Sequence, residues 1–239
     1  MIISGKYYLL ASLPVLEAKL GNEKPPISIS KFWEKLQFEE TNLKQIIQAV
    51  LLEHDINNLE QIYHGYKPVS CATIPMRVLM EAFKDTKKLK DYLPIQIYDY
   101  LNMEKWQTKI WREYFNYCLG ITHKDSTFQK WLNWEVSLKY CFYQNRQNTK
   151  SHLWDKITIS QDYDKEHRHL LNLYQKASNP LEAELLLDNA RFSKILELST
   201  HFSFEYDEIV TYTLSLLLLE RWWIIFQNKE DIFQKVIND

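Results

Sequence analysis

The sequence contains very little glycine. Only 4 of its 239 residues are glycine, at positions 5, 21, 65 and 120. Hairpin-rich sheets need glycine in their turns, and phosphate-binding loops need closely spaced glycines that let the backbone approach the ligand. The shortage argues against a hairpin-rich β protein and excludes the glycine-rich dinucleotide and Walker-type motifs. A chain of long helices has no such need.

Cysteine is scarce too, and standard catalytic or zinc motifs are missing. The three cysteines, Cys71, Cys118 and Cys141, are odd in number and far apart, which predicts a reducing compartment without a disulfide framework. The chain has no Cys-x-x-Cys, no His-Glu-x-x-His and no Gly-x-Ser-x-Gly. We therefore expect no cofactor and no catalytic residues.

The chain also lacks a strong net charge and long apolar runs. Its formal net charge is -2 and its pI about 6.4, so no bulk field attracts nucleic acid or an anionic membrane. Uninterrupted apolar runs such as 216–219 fall far short of the ~20 residues that cross a bilayer, and residues 1–16 lack a signal-peptide cleavage site. We expect a cytoplasmic protein with no nucleic-acid partner and no direct membrane span.

Aromatic and apolar side chains at helical spacing are what the sequence has in abundance. Aromatic residues make up 14% of the chain, including 8 Trp and 15 Tyr. In 103–120 the residues Trp106, Ile110, Tyr114 and Cys118 recur at steps of four, and 126–148 carries a similar stripe. These patterns predict an all-α fold, an irregular multi-helix bundle.

Several residues predict where helices in the first half begin and end. Ser30 is expected to cap a short helix that carries Phe32, and residues 55–58 to interrupt the helical pattern of 41–65. Gly65 and Gly120 are expected at the ends of their helices.

In the second half, Ser126 is expected to cap the helix that follows it. The strongest start signal is Asn179 as N-cap, with Pro180 at the first helical position and Glu182 completing a capping-box-like pair. The whole chain, 1–239, is expected to be a single helical domain. If the protein has two lobes, the boundary between them is expected in the polar stretch 146–164. Residues 155–160 are the one segment with a pattern that suggests a β-strand.

One short stretch has metal-ligand spacing. Glu166 and His169 are three residues apart, the step that helical di-iron proteins use to aim two ligands inward, and His167 lies between them. Such sites need that step twice plus further carboxylates, and the second copy is missing. A solvated helix face is therefore favoured, and a helical metal-binding enzyme is kept as an alternative.

The most unusual feature of the sequence is a pair of charged residues whose neighbours on a helix are all apolar. Glu220 and Arg221 have only apolar residues at helical distance, so each needs a partner outside its own helix. Asp188 and Arg191 are three apart and can form a local pair. We predict a structural pair between Arg191 and Glu220.

Four segments, taken together, resemble a known family. They are 7–16 (YYLLASLPVL), 131–147 with its Trp-Glu, 179–192 (NPLEAELLLDNARF) and 214–223 (LSLLLLERWW). In this order they resemble an uncharacterised bacterial family encoded among the subunits of V-type (A/V-type) ATPases. The positions that carry the resemblance include Tyr7, Tyr8, Leu13, Pro14, Pro180, Glu182, Glu220, Arg221 and Trp222.

The resemblance implies a non-catalytic helical subunit or accessory protein of a rotary ATPase. The family looks like a stand-in for the C (d-type) subunit, a helical socket that couples the central stalk to the membrane rotor ring. Its implied partners are the stalk and ring subunits, and its implied location is peripheral to the inner membrane through protein contacts. An unrelated helical protein-interaction adaptor is the other alternative.

Overall fold

The structure, a computed structural model, describes residues 5–68, 72–101, 103, 106–146, 164–199 and 205–238. Every regular element among them is helical, which confirms the all-α prediction. The helices are α1 Gly5–Ser12, α2 Ile29–Lys35, α3 Thr41–Tyr63, α4 Met76–Glu81, α5 Ile95–Tyr98, α6 Trp106–Ile121, α7 Thr127–Arg146, α8 Asp164–Lys176, α9 Pro180–Leu198 and α10 Tyr206–Asn238. The possible strand at 155–160 and most of the polar stretch 146–164 lie outside the described residues.

The long helix α10 occupies the centre of the packing. It contacts α2, α3, α7 and α9, while α8 packs on α7 and α9, and α6 packs between α3 and α7. The largest side chains of the core include Trp134 of α7 and Trp222 of α10, both fully buried. Two of the carboxylates described below, Glu135 and Asp188, are buried within this packing.

Two helix ends differ from the sequence prediction. The N-cap of α2 is Ser28, whose hydroxyl accepts a hydrogen bond from the Lys31 amide, so Ser30 does not cap this helix. Gly120 lies inside α6, which continues to Ile121. A glycine ends a helix when it takes a left-handed conformation, as Gly65 does with φ 82° just after α3, and Gly120 has no such positive φ.

The predicted break at residues 55–58 is also wrong, because α3 runs through it without interruption. Asp55 is fully buried, and its carboxylate accepts hydrogen bonds from the backbone amides of Ala72, Thr73 and Ile74 at 2.9–3.2 Å. An Asp that serves a loop 17 to 19 residues away does not use its side chain to end its own helix.

The start of α9 confirms the strongest start signal. The Asn179 side chain accepts from the Glu182 amide at 2.9 Å, and Pro180 is the first helical residue. The Glu182 carboxylate accepts from the Ser178 amide at 2.8 Å, one residue before the N-cap. Ser126 likewise accepts from the Gln129 amide at the start of α7.

One part of α10, Tyr206–Gln227, is long and apolar enough to cross a bilayer by length and composition alone. Within these 22 residues a window of 18 reaches a mean hydropathy of 1.5, although no single apolar run in it is long. About 61% of this window is buried against the rest of the structure, as in the central helix of a bundle. The absence of a direct span stays a prediction.

Candidate functional site

Seven charged side chains of alternating sign form a continuous chain across α3, α7, α9 and α10. Each cation in it lies between two carboxylates, and we call this set the charge chain. In order it consists of Glu53, Lys139, Glu135, Arg191, Asp188, Arg221 and Glu184.

The centre of the charge chain joins α7 to α9. Arg191 donates from Nε and Nη2 to the two carboxylate oxygens of Glu135, both at 3.0 Å, which is the bidentate geometry that suits a guanidinium. Its Nη1 donates to Asp188 at 2.7 Å. The predicted local pair of Asp188 and Arg191 is therefore confirmed, and Glu135 is an additional partner.

Asp188 extends the charge chain to α10. Its Oδ2 accepts from the indole Nε1 of Trp222 at 2.8 Å and lies 2.8 Å from Nη1 of Arg221. Arg221 also donates from Nη2 to Glu184 at 2.8 Å. Asp188 is completely buried, so these donors replace the water that its carboxylate loses on folding.

Lys139 carries the charge chain to α3. Its Nζ lies 3.2 Å from Glu53 and 3.7 Å from Glu135. The same ammonium group lies 4.3 Å from the ring centroid of Trp111, within the range of a cation–π contact. Lys139 thus links α3, α6 and α7.

The buried charges alter the pKa values of the groups at the centre. Burial alone would raise the pKa of Glu135, but the charges of Arg191 and Lys139 oppose it and hold that pKa below its ordinary value. Burial alone would lower the pKa of Arg191, yet Glu135 and Asp188 raise it further above its usual range. Both groups are therefore ionised at neutral pH.

A cavity of about 230 Å³ lies against the charge chain, between α3, α7, α9 and α10. All seven charged side chains line it, together with His54 and Asn57 of α3 and apolar residues of α7 and α10. The side chains of Arg221 and Glu184 are each 40% exposed, so the cavity reaches solvent at the Glu184 end.

The predicted pair between Arg191 and Glu220 is wrong. Arg191 is engaged by Glu135 and Asp188, as described above. Glu220 accepts instead from the backbone amide of Ile29 at 2.8 Å, at the first turn of α2. Successive residues of α10 point in different directions, so Arg221 faces α9 while Glu220 faces α2. Each of these two charges does find its partner outside α10.

The metal-ligand candidate does not assemble a site in the described part of the chain. Glu166 accepts from Nε1 of Trp134 at 3.0 Å, His167 is buried against the Trp134 ring, and His169 is exposed. Among the described residues no three His, Cys, Asp or Glu side chains are placed to hold one ion. The alternative of a metal-binding enzyme gains no support from this arrangement.

The N-terminal segment of the resemblance packs against α10. The Pro14 carbonyl accepts from the Tyr212 hydroxyl at 3.0 Å, and Leu13 packs against the core. Tyr8 is exposed, and the Tyr7 side chain lies outside the described part.

Sequence reasoning missed four members of the charge chain: Glu53, Glu135, Lys139 and Glu184. Glu135 and Lys139 are four residues apart on α7, and this spacing is a local signal that could have been found. Glu135 also stands among apolar residues, between Trp134 and Val136, as Glu220 and Arg221 do. Glu53 gives no such signal, because only the packing of α3 beside α7 reveals its role.

Comparison with protein families, curated proteins and solved structures finds no match to this chain. The geometry of the charge chain and the sequence resemblance are thus what bear on its function.

Proposed function

We propose that this protein is a non-catalytic helical subunit or accessory protein of a bacterial V-type ATPase, which couples the central stalk to the membrane rotor ring. The observation that carries the proposal is where the resembling segments lie. Three of them supply the centre of the charge chain: Glu135 from 131–147, Asp188 and Arg191 from 179–192, and Arg221 from 214–223.

The fourth resembling segment supports the same interpretation. Residues 7–16 reach α10 through the hydrogen bond between Tyr212 and the Pro14 carbonyl. All four segments thus hold the helices to one another. A family whose shared residues lock helices together is expected to work through its shape and rigidity, which is what transmission of torque through a stalk requires.

The chemistry of the charge chain also favours a non-catalytic role. Its three cations each bridge two carboxylates, so the charged groups hold one another in place. Burial raises the pKa of Cys118 and keeps this thiol protonated, which makes it a poor nucleophile. A scaffold that joins helices fits these observations better than an enzyme does.

The test is affinity co-purification of the tagged chain from its native cell in mild detergent, followed by identification of the recovered proteins. We expect V-type ATPase stalk and ring subunits in fixed ratio to the tagged chain. A tagged Asp188→Ala variant is the matched control, because it breaks the charge chain and should lose the same partners.

Recovery of the wild-type chain alone, with the rotary ATPase intact in the same extract, would overturn the proposal. Recovery of a different protein in fixed ratio would do the same and would favour the unrelated adaptor. The peripheral location at the inner membrane is part of the same proposal, which predicts that subunits of the membrane ring are recovered with the tagged chain.

A further inference from the structure

The cavity beside the charge chain carries one excess negative charge. Four carboxylates and three cations line it, and each cation lies between two carboxylates. The inner carboxylates, Glu135 and Asp188, are each shared by two cations. The outer ones, Glu53 and Glu184, have one cation each. The uncompensated negative charge is therefore associated with the two ends of the charge chain, Glu53 and Glu184.

The outer carboxylates retain unused acceptor capacity. Glu53 engages Lys139 through Oε1, and Glu184 engages Arg221 through Oε2. The second oxygen of each takes part in no hydrogen bond with the described residues, and an ionised carboxylate can accept several. These two side chains come from α3 and α9 and line the same cavity.

Outside the charge chain the lining of the cavity is apolar except for His54 and Asn57 of α3. Leu214, Leu217 and Leu218 of α10 and Trp131 of α7 form the apolar part. The volume of about 230 Å³ is below the roughly 300–1,000 Å³ of drug-sized ligand sites. The cavity therefore suits one small group that has a charged end and a short hydrocarbon stem.

We propose that this cavity binds an alkylguanidinium group, with the guanidinium against Glu53 or Glu184 and the alkyl stem against the leucines of α10. A guanidinium is planar, weakly hydrated and rich in donors, so it pairs well with a carboxylate that is only partly shielded from water. An anion is disfavoured because each lining cation already lies between two carboxylates and the lining carries a formal excess of one negative charge. The inference rests on the cavity and is independent of the proposed role in a rotary ATPase.

The probe for the first test is butylguanidinium, titrated into the isolated full-length chain and followed by calorimetry. The titration is run at about pH 8. We expect saturable binding at one site per chain.

The variants test which charges are responsible. Glu184→Gln and Glu53→Gln each remove the excess charge and should weaken binding by about fivefold or more. Glu197→Gln is the matched control, because Glu197 is on the same helix as Glu184, is also paired with a cation, and does not line the cavity. It should bind as the wild type does.

The double variant Glu53→Gln with Glu184→Gln gives the most specific result. Its cavity has one positive charge in excess, so it should prefer butyrate to butylguanidinium, the reverse of the wild type. Circular dichroism of each variant shows whether the helices remain intact. Absence of saturable binding to the wild type, or equal binding by the folded Glu184→Gln variant, would overturn the proposal.

A second probe identifies the source of the guanidinium group. A capped Gly-Arg-Gly peptide that binds as well as butylguanidinium assigns the cavity to an arginine side chain of a partner protein. Binding of butylguanidinium alone assigns it to a free small cation. Both results support alkylguanidinium recognition, and failure of both probes contradicts it.

Discussion

At the scale of single residues, Glu135 shows how this core tolerates charge. A carboxylate taken out of water loses several kcal/mol of hydration, by order of magnitude, unless other groups replace it. Arg191 supplies two parallel hydrogen bonds and Lys139 a second positive charge, so the ionised form is the stable one in the folded chain. The buried carboxylate of Asp188 is likewise surrounded by three donor groups, which belong to Arg191, Arg221 and Trp222.

The lowered pKa of Glu135 gives a prediction about acid stability. The folded-state pKa lies below the unfolded value near 4.5, so ionised Glu135 stabilises the fold above that value, and this contribution is lost as the pH falls through the folded-state pKa. We expect Glu135→Gln to lower the free energy of unfolding by about 3–5 kcal/mol at pH ~7, because Arg191 loses its bidentate partner. The difference from wild type should shrink at pH values below the folded-state pKa.

The measurement is urea unfolding of both proteins at several pH values. Glu81→Gln is a suitable control, since Glu81 pairs with Lys88 on the surface and its removal should leave the midpoint unchanged at neutral pH. The role assigned to Glu135 would be contradicted if the free energies of unfolding of the wild type and of Glu135→Gln differed by the same amount down to the lowest pH.

At the scale of helices, Glu220 connects α10 to the start of α2. Its carboxylate accepts from the Ile29 amide, one of the donors that the first turn of a helix leaves without a partner inside the helix. A negative charge is also favourable at this end of a helix. Glu220, whose helical neighbours in the sequence are all apolar, thus binds the first residue of the seven-residue helix α2.

We expect Glu220→Ala to destabilise the protein by about 1–3 kcal/mol, because the buried Ile29 amide loses its acceptor. Glu220→Gln keeps an oxygen acceptor and should be milder. Hydrogen exchange read by mass spectrometry should show faster exchange in 29–35 for the Ala variant, with α9 unchanged. Equal exchange of α2 in wild type and both variants would show that Glu220 does not hold this helix.

Helices were predictable from the sequence because their evidence is local. Apolar spacing identified α6 and α7, and the side chains of Asn179 and Ser126 act within three residues of their own position. The same rules failed at 55–58, where Asp55 binds a loop 17 to 19 residues away. Local rules cannot distinguish an Asp that ends a helix from one that serves another segment.

At the scale of the whole molecule, the partners of the charges could not be predicted from spacing. The pair Asp188–Arg191 was found because both residues lie on α9. The contact between Arg191 and Glu135 joins positions 56 residues apart and depends on the rotation of α7 about its axis. The sequence shows that charges such as Glu220 and Arg221 need partners, and only the packed helices show which partners they have.

The central position of α10 predicts that the described helices unfold together. This helix contacts α2, α3, α7 and α9, and the charge chain connects all of these except α2. Loss of one helix would therefore expose both apolar surface and unpaired charge. We expect the urea transitions followed by circular dichroism and by tryptophan fluorescence to coincide, as in a two-state protein.

The variant Arg191→Ala sharpens this prediction. Since Arg191 links α7 to α9 at the middle of the charge chain, its loss should move both transitions to lower urea by the same amount. If the protein instead consists of two lobes that divide near 146–164, the urea transitions followed by circular dichroism and by fluorescence should not coincide. Arg191→Ala should then shift only the transition of the lobe that contains α9. Separate transitions would replace the single domain with two lobes and would confine the charge chain to the contact between them.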